Sequence, residues 1–140
     1  MVWVRNLLIT FGAFWLSRLL VVLLSRPFLA VNNGITYGDS WLDAIALGIM
    51  TSMGRALAAA VGAGLVVFFA ASPKPERWAS IVAVLYLLYG SGSSHWYLPP
   101  TRWDYLWRGT DRVWPVIVCL AAAVIIARLR RTASERSEQP

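Results

Sequence analysis

Four mostly apolar segments dominate this 140-residue sequence and predict spans over residues 7–30, 43–71, 78–97 and 113–128. A helix needs about 20 mostly apolar residues to cross the hydrocarbon core of a bilayer. The third segment is apolar only from Trp78 to Tyr89, so it is short unless the helix continues through residues 90–92 towards Tyr97. Hydrophobic residues make up 58% of the chain and charged residues 14%, against about half and about a quarter in soluble domains. The sequence therefore predicts an all-α, polytopic integral membrane protein, with a four-span domain over residues 1–128.

The first two runs show how the chain enters and crosses the membrane. The first follows Arg5, as in a secretory signal, but Arg18 interrupts it and no small-residue cleavage site follows, so we predict a retained span. The second run, from Trp41 to Ala71, has 31 residues. As a helix it is about 46 Å long, against a hydrocarbon core of about 30 Å. We predict that Ser40 and Asp43 cap this helix and that its first turns project beyond the membrane.

Basic residues indicate the orientation of the spans. With four spans both termini lie on one side, together with seven basic residues: Arg5, Lys74, Arg77, Arg128, Arg130, Arg131 and Arg136. The other side has four: Arg26, Arg102, Arg108 and Arg112. The positive-inside rule therefore predicts cytoplasmic termini and a location in the cell's inner (plasma) membrane. Residues 129–140 are polar and are predicted to form a disordered cytoplasmic tail.

Two arginines lie inside the predicted spans, Arg18 in the first and Arg55 in the second. A charge at the centre of a span costs roughly 2.5–3.5 kcal/mol on insertion scales. Along their helices, Arg18 lies about 12 Å from Arg26, and Arg55 lies about 18 Å from Asp43. Because the first turns of the second helix are predicted to project outward, both arginines are predicted to lie at a similar depth in the outer half of the membrane. They are predicted either to line a cavity that binds an anion or a lipid headgroup, or to reach the interface or pair with a carboxylate. The candidate carboxylates are Asp39, Asp43, Asp104 and Asp111.

Aromatic residues crowd the loop before the last span. Six lie within 19 residues: Trp96, Tyr97, Trp103, Tyr105, Trp107 and Trp114. Thr101 and Asp104 resemble a capping box, so a short helix over residues 102–108 is predicted to lie on the membrane surface. Trp and Tyr concentrate at bilayer interfaces and also dominate binding hot spots, so these residues are predicted to anchor the loop, to dock a partner, or both.

Small residues recur every four positions along the second span. One row contains Gly48, Ser52, Ala56, Ala60 and Gly64, and a neighbouring row contains Gly54, Ala58 and Gly62. Such rows let helices approach closely in lipid. They predict either packing against the other spans of the same chain or a face for self-association.

The sequence lacks the patterns that carry catalysis or metal binding. His95 is the only histidine and Cys119 the only cysteine, so a zinc ligand set is missing, and Cys119 is expected to pack as a small apolar residue. No phosphate-binding glycine loop or Ser-His-Asp pattern is present. We predict no catalytic residue, no metal and no cofactor. The basic residues flank apolar runs instead of forming a patch with interleaved aromatics, so no nucleic-acid partner is predicted.

These features favour a non-enzymatic protein that serves as an accessory or structural subunit of a larger membrane assembly. Its predicted partners are membrane lipids and either other membrane subunits or further copies of itself. The alternative is an oligomeric transporter or channel for a small solute or an anion, built around Arg18 and Arg55. A lipid-acting membrane enzyme is the third option.

Overall fold

The computed structural model describes residues 1–36, 38–89 and 102–137. Four helices account for most of them: α1 (Val2–Asn33), α2 (Trp41–Phe69), α3 (Pro75–Tyr89) and α4 (Asp104–Ser137). The described ranges contain no strand, so the prediction of an all-α protein is confirmed.

Three of these helices, α1, α2 and α4, are long and apolar enough to cross a membrane. The membrane class predicted from the apolar runs is therefore supported by three candidate spans. Helix α3 has 15 residues, which corresponds to about 22 Å. The predicted third span over residues 78–97 extends beyond the part of the chain that the structure describes.

The last helix is longer at both ends than the sequence predicted. Residues 104–108 form its first turns, so the predicted short helix over 102–108 is not a separate element. At the other end the helix continues past residue 128 to Ser137, and residues 129–137 are helical where a disordered tail was predicted. Polarity alone suggested disorder, but Leu, Arg, Ala and Glu in this segment are strong helix formers. Pro115 lies inside the helix.

Two arginines of this extension attach it to the bundle. Arg130 donates a hydrogen bond to the carbonyl oxygen of Val67 at 2.5 Å, and Arg131 donates to Glu76 Oε1 at 2.8 Å. Partial burial raises the pKa of the Glu76 carboxyl. The hydrogen bonds from its own backbone N–H and from the guanidinium of Arg131 lower this pKa by more, so it lies below its usual value. The end of α4 is therefore held beside the α2–α3 connection.

Local side-chain chemistry sets the start of α2, as predicted. Ser40 is the N-cap, and its hydroxyl oxygen accepts a hydrogen bond from the backbone N–H of Asp43 at 3.1 Å. The Asp43 carboxylate lies in the first turn, where the positive end of the helix dipole favours a negative charge. The cap therefore fixes the residue at which the chain turns back into the bundle.

Helix α2 is the centre of the bundle. It packs against each of the other three helices, whereas α1 and α4 flank it and make no contact with each other in the described ranges. Helix α3 fills the remaining side and contacts all three of its neighbours. The core consists mainly of small and β-branched side chains from these helices: Ala59, Ala63, Val66, Val67, Ala79, Val82, Ala83, Cys119 and Ala123.

Candidate functional site

The arginine inside α2 forms an ion pair with α4 in the middle of the bundle. Arg55 Nη2 donates a hydrogen bond to Asp111 Oδ1, and the two side chains are 7% and 0% exposed. Thr51 lies one turn before Arg55 on the same helix face, and its hydroxyl donates to the same carboxylate oxygen at 3.0 Å. Of the alternatives considered for Arg55, the structure shows the pairing with Asp111.

This pair neutralises both charges where water is excluded. A buried charge costs several kcal/mol unless a partner and hydrogen bonds compensate it. Asp111 is compensated by the guanidinium of Arg55 and by the hydrogen bond from Thr51, and Arg55 is compensated by the Asp111 carboxylate. The arrangement therefore joins α2 to α4 and gives the interior of the bundle no net charge at this level.

Arg18 has a different environment, beside the end of α3. It is half-buried, and its Nη1 donates to the carbonyl oxygen of Tyr89 at 2.5 Å. Tyr89 is the last described residue of α3, and the carbonyl groups towards the C-terminal end of a helix carry partial negative charge that favours a cation. Arg18 therefore binds a backbone carbonyl at the end of the described part of α3, and among the described residues no carboxylate forms an ion pair with it.

The two arginines lie at different depths, which corrects the prediction of a common level. A Cβ at Gly62 would meet Ser17 at 3.1 Å, so Arg18 lies beside the turn of α2 around Gly62. Arg55 is seven residues earlier on α2, a separation of about 10 Å along the axis. The depth prediction used the distance of Arg18 from Arg26 and of Arg55 from Asp43. Those distances do not include the shift of α1 relative to α2 along their axes.

The small residues of α2 contact two different helices of the same chain. A Cβ at Gly48 would meet Thr110 and Trp107 of α4 within 3.0 Å, and one at Gly64 would meet Ile126 of α4 at 3.2 Å. The other row faces α1, where Gly54 abuts Ser25 and Gly62 abuts Ser17. Ser52, Ala56 and Ala58 are fully buried, and Ala60 is half-buried. Both rows are therefore used for packing within the chain.

The aromatic residues at the start of α4 differ in burial. Trp107 is buried, and its indole N–H donates to Asp104 Oδ1 at 2.9 Å. Trp103 and Trp114 are half-buried, and their indole N–H groups have no hydrogen-bond acceptor among the described residues. Tyr105 is exposed. Trp103 and Trp107 thus share a face that points towards the bundle. Trp96 and Tyr97, like His95, lie outside the described residues.

Asn6, which was not predicted as a functional residue, fastens the N-terminus of α1 to the end of α2. It is 2% exposed; its Nδ2 donates to the carbonyl oxygen of Ala71 at 3.3 Å, and its Oδ1 accepts from the N–H of Ala71 at 3.0 Å. A polar amide just before an apolar run was the available signal. The paired hydrogen bonds satisfy the backbone of a residue in the α2–α3 connection.

Trp15, which was also not predicted as a functional residue, points away from the bundle. It is 65% exposed in the middle of α1. Tryptophan concentrates at the two interfaces of a bilayer, so an exposed one in the middle of a span is unusual. Its position halfway along an apolar run was the signal.

No group of three potential metal ligands occurs in the described ranges. Comparisons with protein-family models, curated proteins and solved structures gave no match to this chain.

Proposed function

We propose that this chain is a non-enzymatic integral membrane protein that serves as an accessory or structural subunit of a larger membrane assembly. The exposed face of α1 supports this role. It carries a ridge of apolar side chains at helical spacing, which we call the α1 ridge: Val4, Leu8, Phe11, Trp15, Leu19 and Val22. All six are exposed, and the spacing places them on one side of the helix.

Trp15 is the observation that carries the proposal. It lies eight residues after the predicted membrane entry at residue 7, about 12 Å into the bilayer, and therefore close to the middle of a core about 30 Å thick. Lipid tails offer no acceptor for its indole N–H, and leaving a polar group without a partner in hydrocarbon is unfavourable. A neighbouring protein helix can supply both an acceptor and a packing surface, and Trp is enriched among binding hot spots.

Replacing Trp15 by Leu is expected to release the chain from its assembly. Leu keeps the face apolar, so membrane insertion and the internal core should not change. Loss of a central aromatic anchor should lower the fraction of chain in the complex by about tenfold. The measurement is the size of the tagged full chain after mild extraction from native membranes, by blue native electrophoresis and mass spectrometry.

Trp41→Leu is the matched control, because Trp41 is an exposed tryptophan at the start of α2, near the interface. It should leave the complex intact. A wild-type chain that migrates as an isolated monomer under every mild condition contradicts the proposal. So does a complex that survives Trp15→Leu with its full population.

A transporter or channel for an anion or small solute is the second candidate. Arg18 favours it, because it is a half-buried cation in the span region that has no carboxylate partner among the described residues. Arg55 does not add to this support, since Asp111 neutralises it. A lipid-acting enzyme remains the third candidate, and no contact in the described ranges favours it over the other two.

The same proposal includes four membrane crossings with both termini in the cytoplasm. Two ion pairs at opposite ends of the bundle support the fourth crossing. Arg131 of α4 contacts Glu76 at the start of α3, whereas Arg102 just before α4 contacts Asp39 before α2, with Nε 3.5 Å from Oδ2. Residues 75 and 103 therefore lie at opposite ends of the bundle, which supports a crossing between them. Basic residues at the end that holds the termini support its cytoplasmic placement.

Cysteine accessibility tests this topology. In a Cys119→Ala background, Lys74→Cys should react only with a reagent that enters the cytoplasm, and Tyr105→Cys should react with an impermeant reagent from outside. Lys74 and Tyr105 are exposed, so labelling does not require local unfolding. Labelling of the Lys74→Cys variant from outside would reverse the orientation. Labelling of both positions from one side would reduce the number of crossings to three.

A further inference from the structure

A groove runs along the outer surface of the bundle, at the seam between α1 and α2. It has a volume of about 470 Å³ and is lined by Arg5, Ile9, Gly12 and Leu16 of α1 and by Leu65 and Phe69 of α2. Gly12 borders open space in this groove, because a Cβ at this position would meet no atom within 4 Å. The absence of a side chain here leaves a space where a larger residue would form part of the lipid-facing surface.

Charge is confined to one end of the groove. Arg5 lies at the N-terminal end and is exposed, and the other lining residues are apolar. No ion pair joins Arg5 to a carboxylate in the described part of the chain, and the first turn of α1 contains no acidic residue. The groove therefore offers a cationic group at the membrane surface and an apolar channel beneath it.

The length of the groove matches one leaflet of a bilayer. Arg5 and Leu16 are eleven residues apart, which is about 16 Å along a helix. Half of a hydrocarbon core of about 30 Å is close to the same length. A partner helix that crossed the bilayer would need a contact surface along the whole span, whereas a lipid needs one that reaches only the middle.

We propose that this groove binds an anionic phospholipid of the leaflet at the N-terminal end of α1. One acyl chain lies along Gly12 between α1 and α2, and the phosphate pairs with the guanidinium of Arg5. Basic residues at the membrane surface attract anionic headgroups, and a groove shaped by a glycine holds one acyl chain in a fixed place. This site is distinct from the α1 ridge, so it does not depend on the subunit role.

The test uses the full chain in vesicles of phosphatidylglycerol and phosphatidylcholine. A trace of either lipid carries a photoreactive group in the middle of one acyl chain, and mass spectrometry measures the adducts and their positions. The wild-type chain should react with the phosphatidylglycerol probe at residues 9–16 and 65–69. Gly12→Leu should lower this labelling by about tenfold, the loss expected when a few buried methylene groups are displaced. Gly12→Ala should give an intermediate loss.

Two further variants separate the headgroup from the groove. Arg5→Gln should lower labelling by the phosphatidylglycerol probe more than labelling by the phosphatidylcholine probe, because both lipids carry a phosphate but the choline group offsets its charge. Gly109→Leu is the matched control, because Gly109 is a helical glycine of α4 whose Cβ would also meet no atom within 4 Å. It should leave labelling in the α1–α2 groove as in wild type. Circular dichroism and thermal unfolding confirm that each variant is folded.

Three results would overturn the proposal. Equal labelling of wild type and Gly12→Leu would show that no acyl chain occupies the groove. Equal loss of both probes in Arg5→Gln would remove the preference for an anionic headgroup. Loss of the native complex in Gly12→Leu, with lipid labelling unchanged, would assign the groove to a protein helix. Failure of the Trp15→Leu test alone would contradict the subunit role and leave the lipid site supported. Failure of the Gly12→Leu test alone would contradict the lipid site and leave the subunit role supported.

Discussion

Asp111→Ala is expected to lower the free energy of unfolding by about 3–5 kcal/mol, because it leaves the guanidinium of Arg55 buried without a counter-charge. Arg55 and Asp111 are both almost fully buried, so water cannot replace the lost partner without opening the contact between α2 and α4. Thr51 would also lose its acceptor on α4. Unfolding in mixed micelles with increasing SDS measures the change, with tryptophan fluorescence and circular dichroism as probes.

The double substitution Arg55→Leu with Asp111→Leu should recover most of that loss. Replacing both members of a buried ion pair by apolar residues is often neutral or stabilising, whereas removing one member is costly. A double-mutant cycle therefore yields a large coupling energy if the pair is structural. Arg108→Ala is the matched control, since its pair with Asp104 is 51% and 26% exposed and such pairs contribute about 0.2–1 kcal/mol.

The same experiment separates the two readings of Arg55. If Arg55 served an anion site, Arg55→Gln would leave the stability close to wild type and change only transport. A structural pair predicts that Arg55→Gln also destabilises the chain, because Asp111 then loses its cation in the interior. A single-variant loss below about 1 kcal/mol, the range of exposed pairs, would contradict the structural role.

The sequence predicts much of the helical architecture but not the choice of partners within it. Apolar runs and the Ser40 cap depend on local order, so the helical class and the start of α2 followed from the sequence. The partner of Arg55 was one of four aspartates, and only the relative shift of α2 and α4 selects Asp111. The predicted depth of Arg18 was wrong for the same reason, because this depth depends on the register between α1 and α2.

Composition was the least reliable guide at the ends of elements. The polar residues after 128 predicted disorder, yet two of them, Arg130 and Arg131, bond to the α2–α3 end of the bundle. Trp107 was grouped with interfacial aromatics, but Asp104 satisfies its indole N–H and lets it be buried. The acceptors for Arg130 and Arg131 are distant in sequence, and the acceptor for Trp107 depends on helix geometry. Composition shows neither kind of hydrogen bond.

Gly54→Leu is expected to separate α1 from α2 and to destabilise the chain by about 3 kcal/mol or more, the upper part of the range for overpacking. A Cβ at Gly54 would lie closer than 3.0 Å to backbone atoms of Ser25. The backbone of Ser25 cannot rotate away as a flexible side chain does, so α1 would have to move away from α2. SDS titration measures the loss of stability, and disulfide cross-linking between α1 and α2 in a Cys119→Ala background measures the separation.

Three alanine variants give a graded test of the same contact. Gly54→Ala should be the most destabilising, Gly62→Ala should cost less because its Cβ would meet Ser17 atoms at 3.1 Å, and Gly109→Ala should cost nothing because its Cβ meets open space. Alanine favours a helix by about 1 kcal/mol over glycine, so Gly109→Ala should even stabilise α4. If the small residues of α2 instead served self-association, Gly54→Ala would leave the monomer as stable as wild type and would weaken only the oligomer. Equal stability of all three variants would therefore overturn the packing of α1 on α2 through Gly54.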